Sequence, residues 1–219
     1  MAHEPKGLFR LGGISLVVSG ALFLLKIPLD LAAGSPPSSG KEILAWMASG
    51  KLPLALVNEV VFIAGMFLVP GVIALYVSLA NTDRNEAAIG SGLFAVAIPV
   101  LFAVAIVHGR LVYDVYGIHV DDPGVAELVV AVYYGGLHAI GIMLAVATLV
   151  LSLAMKRGIY GRNIAYLGFA TCVFDLVGSY PWSIGTTLVV VSQALFAAWF
   201  IAVGLKLCSL EPASATRAS

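Results

Sequence analysis

The sequence predicts an all-α fold: a polytopic integral membrane helix bundle of about six transmembrane helices, with both termini cytoplasmic. Three observations predict it. Of 219 residues, 60% are hydrophobic and 11% charged, where soluble domains carry about 25% charged residues. The mean hydropathy is +1.00. The apolar residues also fall into runs of spanning length without the alternating segments of a membrane β-barrel. A helix is the remaining backbone form that satisfies every N–H and C=O inside hydrocarbon.

The runs lie at 11–33, 54–80, 87–113, 125–155, 163–180 and 184–207. The first follows Lys6 and Arg10 as a secretory leader would, but it carries Lys26, Pro28 and Asp30, so a retained first helix is expected. Turn chemistry separates the runs: GSPPSSG at 34–40, NTDRN at 81–85, DDPG at 121–124, the glycines at 158 and 161, and YPW at 180–182. The tightness of the last junction predicts an antiparallel hairpin of spans five and six. Residues 1–210 are thus expected to form a single transmembrane domain, with a short polar tail at 211–219.

Twelve Lys and Arg balance twelve Asp and Glu, and no basic patch interleaved with aromatics exists, which excludes nucleic acid as a partner. Cys172 and Cys208 lie in apolar segments, away from the spacings of a disulfide framework or a zinc site. One set of helix ends holds Lys6, Arg10, Arg84, Lys156, Arg157, Arg162, Lys206 and Arg217, and the other holds Lys26, Lys41, Lys51 and Arg110. Positive charge stays inside, so the richer ends are expected in the cytoplasm, and the cell inner (plasma) membrane is the expected location.

Ionisable groups are costly in hydrocarbon and persist where they face a bundle interior or a cavity. On the first span Ser15, Ser19, Lys26 and Asp30 form one stripe at about 100° per residue, and Lys26 and Asp30 stand four apart, ready to pair. Asn58 and Glu59 enter the second span, and Arg110 and Asp114 stand four apart at the end of the third. Glu127, Tyr134 and His138 fall within about 40° of one line on the fourth, which continues through Gly141 and Ala145. Thr171, Asp175 and Ser179 form a stripe on the fifth, and Thr186 and Gln193 stand seven apart on the sixth. Counted from the basic ends, Asp175 falls near the midplane, His138 in the outer half, and His108, Glu59 and Asp30 near the outer interface.

These depths predict a polar pocket opening outward, with Lys26, Asn58, Glu59, Tyr134, His138, Asp175 and Ser179 as ligand-binding residues. The alternative for the interfacial pairs is snorkelling anchorage. Glu59, His108, His138 and Asp175 are the metal-ligating candidates, but HxxxH and HExxH spacings are absent, and the depths of His108 and His138 differ by roughly 6 Å, against a shared haem. No nucleophile elbow or nucleotide loop is present. No catalytic residue or cofactor is specified.

The opening RLGGISLVVSGALFLL, followed by a Gly/Pro/Ser loop and five further spans, resembles the six-helix bacterial membrane family grouped under domain of unknown function 4386. The resemblance implies a compact helical membrane protein and no functional residues.

The leading expectation is a small membrane protein that binds or passes a small or lipid-like ligand through the pocket. The alternatives are a membrane-embedded enzyme using dispersed Asp, Glu and His, with or without a metal, and a structural subunit of a larger membrane complex. Membrane lipid and that ligand are the expected partners, with a second copy or a complex partner in the subunit case. The topology is testable with single cysteines in a background lacking Cys172 and Cys208. Positions 41 and 121 should react with an impermeant thiol reagent in intact cells, and positions 84 and 157 only after lysis. Labelling of 84 and 157 from outside would reverse the orientation.

Overall fold

A computed structural model describes residues 6–210 as seven helices, two of which begin at side-chain caps. They are α1 (Lys6–Ala33), α2 (Gly40–Ser49), α3 (Lys51–Leu79), α4 (Arg84–Gly109), α5 (Pro123–Arg157), α6 (Arg162–Gly178) and α7 (Thr186–Cys208). The carboxylate of Asp83 accepts from the backbone N–H groups of Asn85 and Glu86 at the start of α4. Asp122 does the same for Val125, with Pro123 opening α5. Each cap satisfies backbone donors that a helix start leaves without a partner. At the other end of α5, Arg157 bridges Asp83, at 3.5 Å, and Glu86, tying that end to the start of α4. The expected tail at 211–219, with Arg217, lies outside the described residues.

The described residues therefore form an all-helical bundle of membrane type. Helices α1, α3, α4, α5 and α7 are long and apolar enough to cross a membrane, whereas α6 has 17 residues. The expected runs map onto these helices with two departures. Residues 40–49 form a helix where a loop was expected, because Ile43 and Met47, four apart, bury one short stripe that a spanning window averages out against Lys41, Glu42 and Lys51. The third run stops at Gly109 rather than 113. Arg110 then turns its guanidinium to the carbonyls of Tyr113 (3.1 Å) and Ile118 (3.2 Å), and does not form the expected i,i+4 pair with Asp114.

Six helices form a closed ring in chain order, α1–α3–α4–α5–α6–α7 and back to α1. Neighbours run antiparallel. Ser19 on α1 donates to the Ala64 carbonyl on α3 at 3.0 Å, and Gln193 near the start of α7 reaches Asp30 near the end of α1. Both described chain ends thus lie at one end of the ring, the termini end. The 34–39, 110–122 and 179–185 connections and α2 lie at the other, the mouth end.

Lipid tails are as apolar as leucine, so packing in a membrane comes from close approach and hydrogen bonds rather than from expelling water. The Gly12-Gly13 pair allows that approach on two sides of α1. A Cβ on Gly12 would stand 2.9 Å from the Pro70 carbonyl oxygen on α3, and one on Gly13 would stand 2.6 Å from the Gly204 carbonyl oxygen on α7. Toward the termini end the core is filled by Phe94, Trp199 and Phe200, with Leu151, Met155 and Leu207. There Ser78 and Tyr160 share a 2.5 Å hydrogen bond, and burial raises the Tyr160 pKa, so its hydroxyl proton is kept. At the mouth end Ile43, Met47, Leu54, Leu111 and Ala126 join α2 to α3 and α5.

Gly141 packs on α6, where a Cβ would stand 2.9 Å from the Ser179 Cβ, and Ala145 is 1% exposed. Gly204→Leu and Gly141→Leu should each lower stability in detergent by about 1–3 kcal/mol or more through overpacking. Leu at Ala103, on the exposed face of α4, should change little. Equal melting temperatures for the three variants would show that the ring does not depend on these contacts.

Candidate functional site

The ring encloses a cavity of about 890 Å³ to which all seven helices contribute, within the range of about 300–1,000 Å³ typical of small-molecule sites. Pro36, Trp46, Trp182 and Thr186 stand at its mouth, and Leu68, Ile98, Leu144 and Phe196 line its deep apolar part. Its polar groups are gathered between these two levels.

Two carboxyl groups reach the wall, and both are served by α7. Ser192 donates its hydroxyl to Asp175 Oδ1 at 3.1 Å, and Gln193 donates its amide to Asp30 Oδ2 at 3.0 Å. Consecutive residues of one helix turn by about 100°, so one donor faces α6 and the next faces α1. Asp30 Oδ2 also takes the Lys26 ammonium as a salt bridge. Asp175 has no such cation among the described residues. It is 7% exposed, and its Oδ2 is buried without a hydrogen-bond partner. Ser192 stands about 9 Å inside α7, which sets the level of Asp175, and the end of α6 stops against Gly141, halfway along α5.

One turn toward the mouth, His138 on α5 bonds through Nδ1 to the Ser179 carbonyl at 2.8 Å. A carbonyl only accepts, so Nδ1 carries a proton, and Nε2 is the acceptor of that tautomer. The ring lies 4.6 Å from Tyr180 and 5.5 Å from Trp182, centroid to centroid. The Ser179 hydroxyl is turned back to the Leu176 carbonyl. Tyr134 lines the cavity and meets Tyr133 edge to face at 5.1 Å. His108, 2% exposed, stacks on Tyr133 at 4.3 Å.

Of the expected binding residues, Lys26, Tyr134, His138, Asp175 and Ser179 line this cavity, and Asn58 and Glu59 do not. Asn58 stands behind the wall, with its Oδ1 3.3 Å from His108 Nδ1. Glu59 is on the exposed face of α3 and accepts from the Tyr113 hydroxyl at 2.8 Å. Adjacent residues on a helix point about 100° apart, which carries Glu59 past the wall. Burial and then the bond to Glu59 push Tyr113 up to about 12, so it remains a donor at physiological pH. Glu127 leaves the stripe of Tyr134 and His138 to accept the Gly40 N–H at 2.6 Å, capping α2 against its dipole.

The four metal-ligating candidates go to four different sets of partners: Glu59 to Tyr113, His108 to Asn58, His138 to Ser179, and Asp175 to Ser192. Among the described residues no three His, Cys, Asp or Glu side chains come together to hold a metal ion. Sequence reasoning missed Ser192 and Trp46. The adjacent polar pair Ser192-Gln193 within an apolar helix was the signal for the first. Trp46 had none, since it enters on the unforeseen α2 and is held there by a 2.7 Å bond to the Ala33 carbonyl.

The Lys26–Asp30 pair is partly buried, with side chains 13% and 32% exposed. Lys26→Met should cost about 1–3 kcal/mol by stranding the carboxylate, and the Lys26→Met/Asp30→Leu double variant should recover most of it. Additive melting-temperature losses in that cycle would mean that the two groups do not act as a pair. No family model, curated protein or solved structure matches the chain, so the site is argued from its own residues.

Proposed function

We propose that this chain is a small polytopic protein of the cell inner membrane that binds or passes a small, lipid-like ligand through a pocket opening on the outer face. In this reading all six ring helices cross the bilayer. Although α6 is only about 25 Å long, it packs antiparallel between α5 and α7 and shares their slab. The termini end carries Arg10, Arg84, Lys156, Arg157, Arg162 and Lys206, while Lys41, Lys51 and Arg110 lie toward the mouth end. That excess supports a cytoplasmic termini end and an outward mouth.

The observation that carries the function is the cavity itself. Its deep part is apolar and its polar groups sit above, toward the mouth, which suits a ligand with an apolar body and one polar end. Polar groups placed around the entry to an apolar space are the arrangement of a binding site, and we read its chemistry as recognition.

Native mass spectrometry of the protein extracted in mild detergent tests this. The wild type should carry a retained small molecule or lipid. Val190→Trp, which narrows the cavity wall, should lose it, and Ala103→Trp on the exposed face of α4 should keep it. A retained mass unaffected by Val190→Trp, or none in any sample, would reject a ligand pocket.

A further inference from the structure

From the donors and acceptors of this cavity we infer the ligand's chemical class: an amphiphilic organic ammonium without a phosphate. The inference rests on the pocket reading above and adds its charge preference. The one ammonium on this wall and several of its neutral donors already have partners. The Lys26 ammonium and the Gln193 amide go to Asp30, the Ser192 hydroxyl goes to Asp175, and the Ser179 hydroxyl goes to a backbone carbonyl.

The buried polar atom of the wall that lacks a partner is an acceptor. Asp175 Oδ2 is buried with no partner among the described residues, and the His138 proton sits on Nδ1, leaving Nε2 as a lone pair one turn away. A buried carboxyl oxygen without a donor is costly, and a ligand N–H removes that cost.

Charge points the same way. Two carboxyl groups and a single Lys line the cavity, with no Arg among the described residues, and that Lys is committed to Asp30. A phosphate or carboxylate would find no uncommitted Lys or Arg and would meet Asp175, whereas an ammonium can donate to Asp175 and hold it as a carboxylate. The Tyr134 and Trp182 rings, which line the cavity, add faces that attract a cation. The apolar depth below takes the hydrocarbon body.

The experiment uses the full chain carrying Cys172→Ser, Cys208→Ser and Val190→Cys, with the rate of maleimide labelling at position 190 reporting cavity occupancy. Decylamine, decanol and decanoate are compared at equal concentration in one detergent. Decylamine should slow labelling about tenfold more than the other two, and Asp175→Asn, which keeps the shape of the side chain, should bring decylamine down to the level of decanol. Equal protection by all three chains, or decylamine protection unchanged by Asp175→Asn, would overturn the ammonium preference while leaving the pocket reading in place. Protection by none of them would overturn both. If Asp175→Asn fails to fold, the ranking of the three chains on the parent protein still decides.

Discussion

A hollow bundle in lipid has a particular difficulty. The solvent does not press its helices together, and a cavity removes contacts from its centre. Cohesion must therefore come from the seams between neighbouring helices, and the seam between α1 and α7 is the one that closes the ring. There a glycine stands on each side, and a Cβ added to either Gly13 or Gly204 would lie 2.6 Å from the other's carbonyl oxygen. The same seam continues toward the mouth end into the bond between Gln193 and Asp30. The close backbone approach that closes the fold thus also sets the place of one of the two carboxyl groups in the cavity, and through Lys26 the distribution of its charge.

The two carboxyl groups illustrate how differently one cavity can treat the same chemical group. Asp30 accepts from a cation and an amide, and is partly exposed toward the mouth. Asp175 accepts from one hydroxyl and is almost fully buried. The first is a finished structural pair, of the kind whose net contribution is modest. The second carries unspent hydrogen-bonding capacity, and structural polar groups in a low-dielectric interior are rarely left in that condition.

Much of the fold was legible because its determinants are local. Run length and hydropathy located the six ring helices, and Asp83 and Asp122 mark two helix starts by chemistry visible within a few residues. Helix α2 was not, because a ten-residue amphipathic segment loses its signal inside a window sized for the bilayer. The site was legible by stripe. Lys26, Tyr134, His138, Asp175 and Ser179 were found by periodicity because each stripe has one inward face. Asn58 and Glu59 do not line the cavity, because periodicity gives the angle between two residues but not which angle faces inward. The pairing of Asp30 with Gln193, 163 positions apart, depends on ring closure, a property of the whole chain that no local pattern encodes.

The absence of a sequence motif follows from the same geometry. A motif arises when one segment supplies several groups to one point, as a loop around a phosphate or a helix turn around a metal does. Here each helix supplies one or two groups to a shared wall: Lys26 from α1, His138 from α5, Asp175 from α6, Ser192 and Gln193 from α7. What such a wall recognises is encoded in the order of the ring and the depth of each residue. Because α6 ends early, its carboxyl sits one turn below His138 and above the apolar depth, where the polar end of an amphiphile would lie with its hydrocarbon pointing inward. The length of one short helix thereby sets the level of Asp175, so lengthening α6 by a turn would displace it from His138 without altering either residue.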